Sequence, residues 1–348
     1  MKSFLSSVLI FRTYNIINKI IHKVFLRYKN PFVRYQRHQI FEELDHKGQI
    51  IDPKIFGNKP KYLITDIKIE NNDIINNTKK INSIDVLTND EISNSIFYIY
   101  FTFDDEALYT LRKIVYNKGI FIPSLNFEKT SYRFTKKNVY NTLKYTWDRS
   151  RFVSHLNIKV HENICEAIDL TKKLTGAYVE VGVYKGGSAL TALKYLKCEE
   201  ISREVYLLDT FDGFDYKEAE LSSDLIWNGT HKLYGEDETM KTIKNILDDV
   251  KYPYNLVKSN IITDNFIDNI DKIVVANIDV DIFEATMAAL NKISPKIANG
   301  GIIILEDSTS TPALYGAYLA MKDFLEINPI GVEFTPFFKE GQYFLLRK

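Results

Sequence analysis

From about residue 150 onward the chain alternates short, almost wholly apolar runs with amphipathic helical stretches. No other feature restricts the folds open to it so strongly. The apolar runs are "AYVEVG", "EVYLLDTF", "YNLVKSN", "KIVVANID" and "GIIILEDS", set among helical patterns such as "DETMKTIKNILDDV" and "FEATMAALNKIS". A strand that is apolar along its whole length is buried on both faces, and helices between such strands supply parallel crossovers. A helix with Pro312 in its first turn follows, and then "VEFTPF" and "QYFLLRK" lie close enough to pair as a hairpin at the sheet edge. The expectation is an α/β domain over 149–348: a doubly wound, mostly parallel sheet ending in an antiparallel hairpin.

The first 148 residues have a different texture. Residues 31–148 mix polar stretches such as "IENNDIINNTKK" with short strands such as "KYLITDIKI" and "SIFYIYFTF", and read as a smaller α/β accessory region of open function. "SIFYIYFTFDDEALYTLRKIVYNKGIFIP" has the order strand, acids, helix, glycine, strand, so at least one β-α-β unit is expected there. Residues 1–30 scatter Arg12, Lys19, Lys23, Arg27 and Lys29 among Ile and Phe, the pattern of a basic amphipathic helix. Packing on the domain behind it is the commoner fate of such a helix; the other is peripheral contact with an anionic membrane face. No small-residue cleavage site follows a proper apolar core, so a signal peptide is not expected.

Global composition excludes some classes. Lys+Arg and Asp+Glu balance at 45 each, leaving no net field to draw the protein to nucleic acid. Cys165 and Cys198 give neither a zinc spacing nor a disulfide framework, which fits a reducing, cytoplasmic setting. Twenty-two Tyr and twenty-two Phe suit core packing first and stacking on sugar rings second.

Ligands of open α/β sheets collect at the carboxyl ends of the strands. Four such ends here are polar. "EVGVYKGGS" places Gly182, Gly186 and Gly187 at a strand-to-helix turn where a ligand could approach backbone N–H groups, though the spacing is not G-x-G-x-x-G. Asp209 ends "VYLLD" and is placed to accept hydrogen bonds from ribose hydroxyls, whatever the adenosine compound. Asp279 and Asp281 leave one strand, while Glu306 and Asp307 leave the next. Each acid alone could cap a following helix. Four converging acids instead call for a hard divalent cation such as Mg²⁺, which takes carboxylate oxygens. A cation that lowers the pKa of an acceptor hydroxyl, beside an adenosine site with no Walker lysine motif, suits attack on an electrophilic methyl group.

The blocks "AYVEVGVYKGGSAL", "LLDTFDGF" and "NIDVDIFEATMAALNKISPKIANGGIIILED", with the helix beginning at Pro312, resemble the macrocin O-methyltransferase family. That resemblance runs over about 150–348 and implies a class I methyltransferase-like fold. It also implies dependence on S-adenosyl-L-methionine and Mg²⁺, and a sugar or glycoside acceptor. It makes Glu180, Gly182, Gly186 and Ser188 the cradle for the amino-acid end of the methyl donor, and Asp209 the ribose partner. Asp279, Glu306 and Asp307 become the metal ligands, with Asp281 a base or supporting group. Which of Asp279 and Asp281 touches the metal stays open. Two departures from the family pattern stand out: Glu306 replaces an aspartate, and Phe283 replaces a tyrosine. His231, in the long excursion between the second and third units, is a candidate second base. A homo-oligomer is implied by resemblance alone. The rival readings are an NAD-dependent sugar oxidoreductase or epimerase, and a non-catalytic scaffold on the same fold.

Overall fold

A computed structural model describes residues 58–65, 78–100, 104–123, 136–150, 156, 158–307, 314–327, 333–339 and 342–348. The basic N-terminal segment, 1–30, and Pro312 lie outside the described residues. The chain divides into two compact units, Met1–Lys137 and Asn138–Lys348.

In the first unit, β1 (Lys61–Thr65), β2 (Thr78–Ile81), β3 (Ile96–Tyr100) and β4 (Ile120–Pro123) form a parallel sheet in the order β2-β1-β3-β4. Helix α1 (Asn89–Ser93) opens on a capping box: Thr88 Oγ1 accepts from Glu91 N, and the Glu91 carboxylate accepts from Thr88 N. Helix α2 (Asp104–Tyr116) makes the crossover from β3 to β4, giving the β-α-β unit read in the sequence. Ile64, Ile81, Ile84, Ile92, Phe97 and Ile114 close a small core of their own.

Helix α3 (Lys137–Ser150) starts at the boundary and α4 (Ile158–Leu170) follows it in the second unit. Then come β5 (Ala177–Val181), α5 (Gly187–Cys198), β6 (Val205–Asp209), the short α6 (Lys217–Glu220), α7 (Glu236–Asp248) and β7 (Asn255–Lys258). The chain returns through β8 (Ile273–Ile278), α8 (Phe283–Ile293), β9 (Ile297–Leu305) and α9 (Tyr315–Ile327), and ends in β10 (Phe334–Lys339) and β11 (Gln342–Arg347). The sheet order is β10-β11-β9-β8-β5-β6-β7. Strands β5 to β9 are parallel, and β11 runs antiparallel between β9 and β10. This is the class I methyltransferase-like sheet expected, with its C-terminal hairpin; β10 is the edge strand and Pro336 sits on it, where a missing N–H costs least.

Side chains in one register row share a face. Val179, Val181, Ala276, Ile278, Ile303, Leu305 and Leu345 form the face covered by α8 and α9, through Ala289, Leu290, Ile293, Met321 and Phe324. Each such side chain, fully buried, contributes roughly 1.5–3 kcal/mol of transfer free energy. Helix α4 packs beside α5 and against β8 and β9. Strands β5 and β8 are buried at every position. Because the chain builds outward from β5 through β6 to β7 and then crosses back to β8, the sheet changes direction between β5 and β8. The carboxyl ends of those two strands are the switch point, the standard place for a ligand.

Candidate active site

A cavity of about 270 Å³ opens at that switch point, and its wall comes from the exits of all five parallel strands. On one side lie Gly182, Tyr184, Gly187, Ser188, Asp209, Ser259 and Asn260; on the other lie Asp279, Asp281, Glu306 and Asp307. Phe214, Tyr216, Trp227, His231 and Leu233 come from the excursion between β6 and α7.

The turn after β5 is tight for two reasons. Gly182 sits at φ +89°, and a Cβ there would lie 1.8 Å from the Asp279 carbonyl oxygen, so the exits of β5 and β8 touch through backbone. Gly186 caps α5 at φ +83°. Asp209 then ties the turn to β6: its Oδ2 accepts from Val183 N at 2.6 Å and Tyr184 N at 2.9 Å, and its Oδ1 accepts from Phe211 N at 2.7 Å. A carboxylate has about four acceptor sites, so room for a ribose hydroxyl remains.

Glu180 is fully buried and Gly186 packs toward Ile243, so neither is on the cavity wall. Glu180 reaches the wall through Ser188, whose hydroxyl donates to Oε1 at 2.7 Å, while Tyr178 donates to Oε2 at 2.7 Å. Burial pushes its carboxyl up to about 7, against the pull of these hydrogen bonds.

The carboxylates of Asp279, Asp281 and Asp307 each bring an oxygen within 4.8 Å of the other two. The resemblance makes Asp279, Glu306 and Asp307 the metal ligands and leaves open which of Asp279 and Asp281 touches the ion; the close trio holds both of these with Asp307. Glu306 lines the same cavity beside them, its charge bearing on Asp279 and its side chain hydrogen-bonded with Asp307. Asp281, held at φ +59°, turns back toward β9, and its N–H donates to Asp307 Oδ2 at 3.3 Å. Burial, with the neighbouring acids adding to it, raises the carboxyls of Asp279 and Asp307 well above the usual range; burial also raises Asp281. Three acids packed this closely, with His231 bearing on Asp281, bring oxygens to a spacing that matches the ligand set of a hard divalent ion.

His231 stands on the excursion at φ +61°, its ring 5.4 Å from Tyr184 and 5.1 Å from Phe214, and its Nδ1 2.9 Å from Thr230 Oγ1. Its charge also bears on Asp281. Four residues of the cavity wall, Tyr184, Phe211, His231 and Asp281, adopt left-handed backbone without being glycine, a strain typical of functional sites.

The sequence reading missed Ser259. It directly follows β7, is 5% exposed, lines the cavity, and its hydroxyl has no partner among the described residues. A buried hydroxyl left without a partner costs about 1–3 kcal/mol, so it suits a polar edge of a ligand. The signal was present: "YNLVKSN" is a strand that exits on two polar residues, as the others do.

Residues 151–344 match the macrocin O-methyltransferase (TylF) family. Demethyldecarbamoylnovobiocin O-methyltransferase of Streptomyces niveus is 27% identical over 168 residues, which are 45% of this chain and 63% of that protein's length. The solved structure of the O-methyltransferase NovP is similar over 56% of this chain and 82% of that one, at 20% identity and a TM-score of 0.48. The structure of CalS11, a calicheamicin methyltransferase, is similar over 60% of this chain and 91% of that one, at 18% identity and a TM-score of 0.46.

Proposed function

The chain belongs to the macrocin O-methyltransferase family, and from that premise we propose that it transfers a methyl group from S-adenosylmethionine to a hydroxyl of a sugar or glycoside, with Mg²⁺ held by its acidic cluster. The observation that carries this reading is the meeting of Asp279, Asp281 and Asp307 within 4.8 Å at the wall of a cavity that Asp209 and Ser259 also line.

In this reading the β5–α5 turn, with Ser188, receives the amino-acid end of the methyl donor, Glu180 steadies Ser188 from behind, and Asp209 receives ribose hydroxyls. Gly182 and Gly186 keep the turn low enough to be approached. Ser259 meets a polar edge of the same ligand. Asp279, Asp281 and Asp307 would hold the cation, with Glu306 buried beside them. The methyl donor supplies an electrophilic carbon, and Mg²⁺ supplies a Lewis acid for the acceptor hydroxyl. Methyl transfer leaves one proton to be taken from that hydroxyl. Asp281 or Asp279 accepts it at a carboxylate oxygen, and His231 is the further group near enough to Asp281 to share the task. Phe214, Tyr216 and Trp227 exclude water and offer flat faces to a sugar ring.

The test uses methyl-labelled S-adenosylmethionine and a panel of free sugars, alkyl and aryl glycosides and sugar nucleotides, with Mg²⁺ or with a chelator. Label in at least one saccharide, lost on chelation, is the expected result. Label transfer that ignores the chelator would remove the metal from the account; hydride exchange with NAD on the same panel would replace the account altogether.

A further inference from the structure

The excursion of residues 210–235 carries much of the cavity wall, yet it is not part of the sheet. It closes on itself, Phe214 N donating to Thr230 O and Gly229 N donating to Phe214 O, both at 3.1 Å. Two side chains fasten it elsewhere. Asp224 Oδ2 accepts from Phe283 N at 2.9 Å, and Ser222 Oγ donates to Glu284 Oε2 at 2.5 Å. Both contacts land on the first turn of α8, two and three residues beyond Asp281.

That turn needs a partner from outside. Ile282, at the cap position of α8, offers no side-chain hydrogen bond to the free N–H groups of the helix start. Asp224 serves as the missing cap, supplied from another part of the chain. The loop is thus held at alternate residues by three different elements. Asp279 N donates to Val181 O at the end of β5, Asp281 N to Asp307 after β9, and Phe283 N to Asp224 on the excursion.

Helix α9 makes room for this. A Cβ on Gly316 would lie 1.7 Å from Asp224 Oδ2, 2.6 Å from its Cγ and 2.8 Å from Phe283 N. Gly316 lies in the first turn of α9 without a positive φ, so backbone conformation does not call for glycine there; the passing carboxylate and the N–H it caps do.

We propose that Ser222 and Asp224 are positioning residues that clamp the acceptor wall to the metal-binding loop, so that a cation on the acidic cluster and order in the wall favour one another. The inference rests on the methyltransferase reading for the identity of the cation. Because the loop bearing Asp279 and Asp281 and the wall bearing Trp227 and His231 share these two bonds, whatever fixes the loop restricts the wall, and the coupling works equally in reverse.

The test is amide hydrogen exchange over 213–233 in the full chain, with MgCl₂ and S-adenosylhomocysteine as probes and the affinity of each measured by calorimetry. In the wild type, Mg²⁺ slows exchange in this segment by about fivefold, the factor one capping interaction supplies. In Asp224→Ala the cation still binds but the slowing is lost, whereas Asp224→Asn, whose side-chain oxygen can accept the same N–H, restores it. Gly316→Ala behaves as Asp224→Ala does. Ser222→Ala gives a milder form of the same loss should Asp224→Ala fold poorly. Full Mg²⁺-dependent protection in Asp224→Ala would overturn the clamp. A wild type that binds both probes but shows no Mg²⁺-dependent slowing would overturn it as well. A wild type that binds neither probe would instead sink the methyltransferase reading beneath it.

Discussion

A methyl group at position 182 would lie 1.8 Å from the Asp279 carbonyl oxygen, on a residue held at φ +89°. Gly182→Ala therefore has to part the exits of β5 and β8, and should destabilise the fold by roughly 3 kcal/mol or more, read as a lower denaturant midpoint. The carboxylates make a prediction of opposite sign. The carboxyl of Asp307 is raised in the fold, so the stability linked to its proton is complete below the ordinary aspartate range and is lost as pH rises through the folded value. Above that point the ionised group burdens the metal-free protein. Asp307→Asn should then raise the melting temperature of the metal-free protein at pH 8 while weakening Mg²⁺ binding on the order of 100-fold. A helix cap would behave otherwise: its loss lowers stability and leaves Mg²⁺ indifferent. Glu180 and His161 form a second pair to separate. The Glu180 carboxyl is raised from 4.5 to about 7, so its contribution is lost as pH climbs across that window. The His161 ring, fully buried with Nδ1 2.7 Å from Thr191 Oγ1, is lowered from 6.5 to about 4, so its contribution is lost as pH falls across that one. The two slopes oppose each other in the wild type. Glu180→Gln removes the first of them, so its stability relative to wild type should rise by on the order of 3 kcal/mol from pH 4.5 to 7 in denaturant titrations.

At the scale of elements, the strands were the legible part. Continuous apolar runs announced β5, β6, β8 and β9, and the acids at their ends follow once parallel strands are granted. The hairpin of β10 and β11 was equally plain. What the residues could not announce was the direction of side chains beyond the last paired residue. The left-handed turn that brings Asp281 to Asp307 depends on contacts across three elements. Asp224 was invisible for the same reason, being 59 residues from the N–H it serves. Helix α5 offers a test at this scale. Its cap is Gly186 at φ +83°, with Ile243 Cγ2 3.2 Å from a built Cβ. Gly186→Ala should cost about 1–2 kcal/mol in thermal unfolding, and should weaken S-adenosylhomocysteine binding by displacing the turn that presents Ser188.

At the scale of the molecule, the described residues lining the cavity fall between Leu156 and Leu314, inside the unit Asn138–Lys348. A fragment of residues 136–348 should accordingly unfold in one cooperative step and keep the S-adenosylhomocysteine affinity of the full chain; calorimetry on both would show it. The first unit has its own parallel sheet and core, and residues 1–30, read as a basic amphipathic helix, lie outside the described residues. No helix among the described residues is long and apolar enough to cross a membrane. The central claim concerns the cavity, and the most direct test is titration of S-adenosylmethionine and S-adenosylhomocysteine into the full-length protein, with and without Mg²⁺, beside NAD. The account predicts saturable binding of both sulfur compounds, a separate Mg²⁺ site that Asp307→Asn weakens, and no heat from NAD. Binding of NAD without either sulfur compound would contradict it.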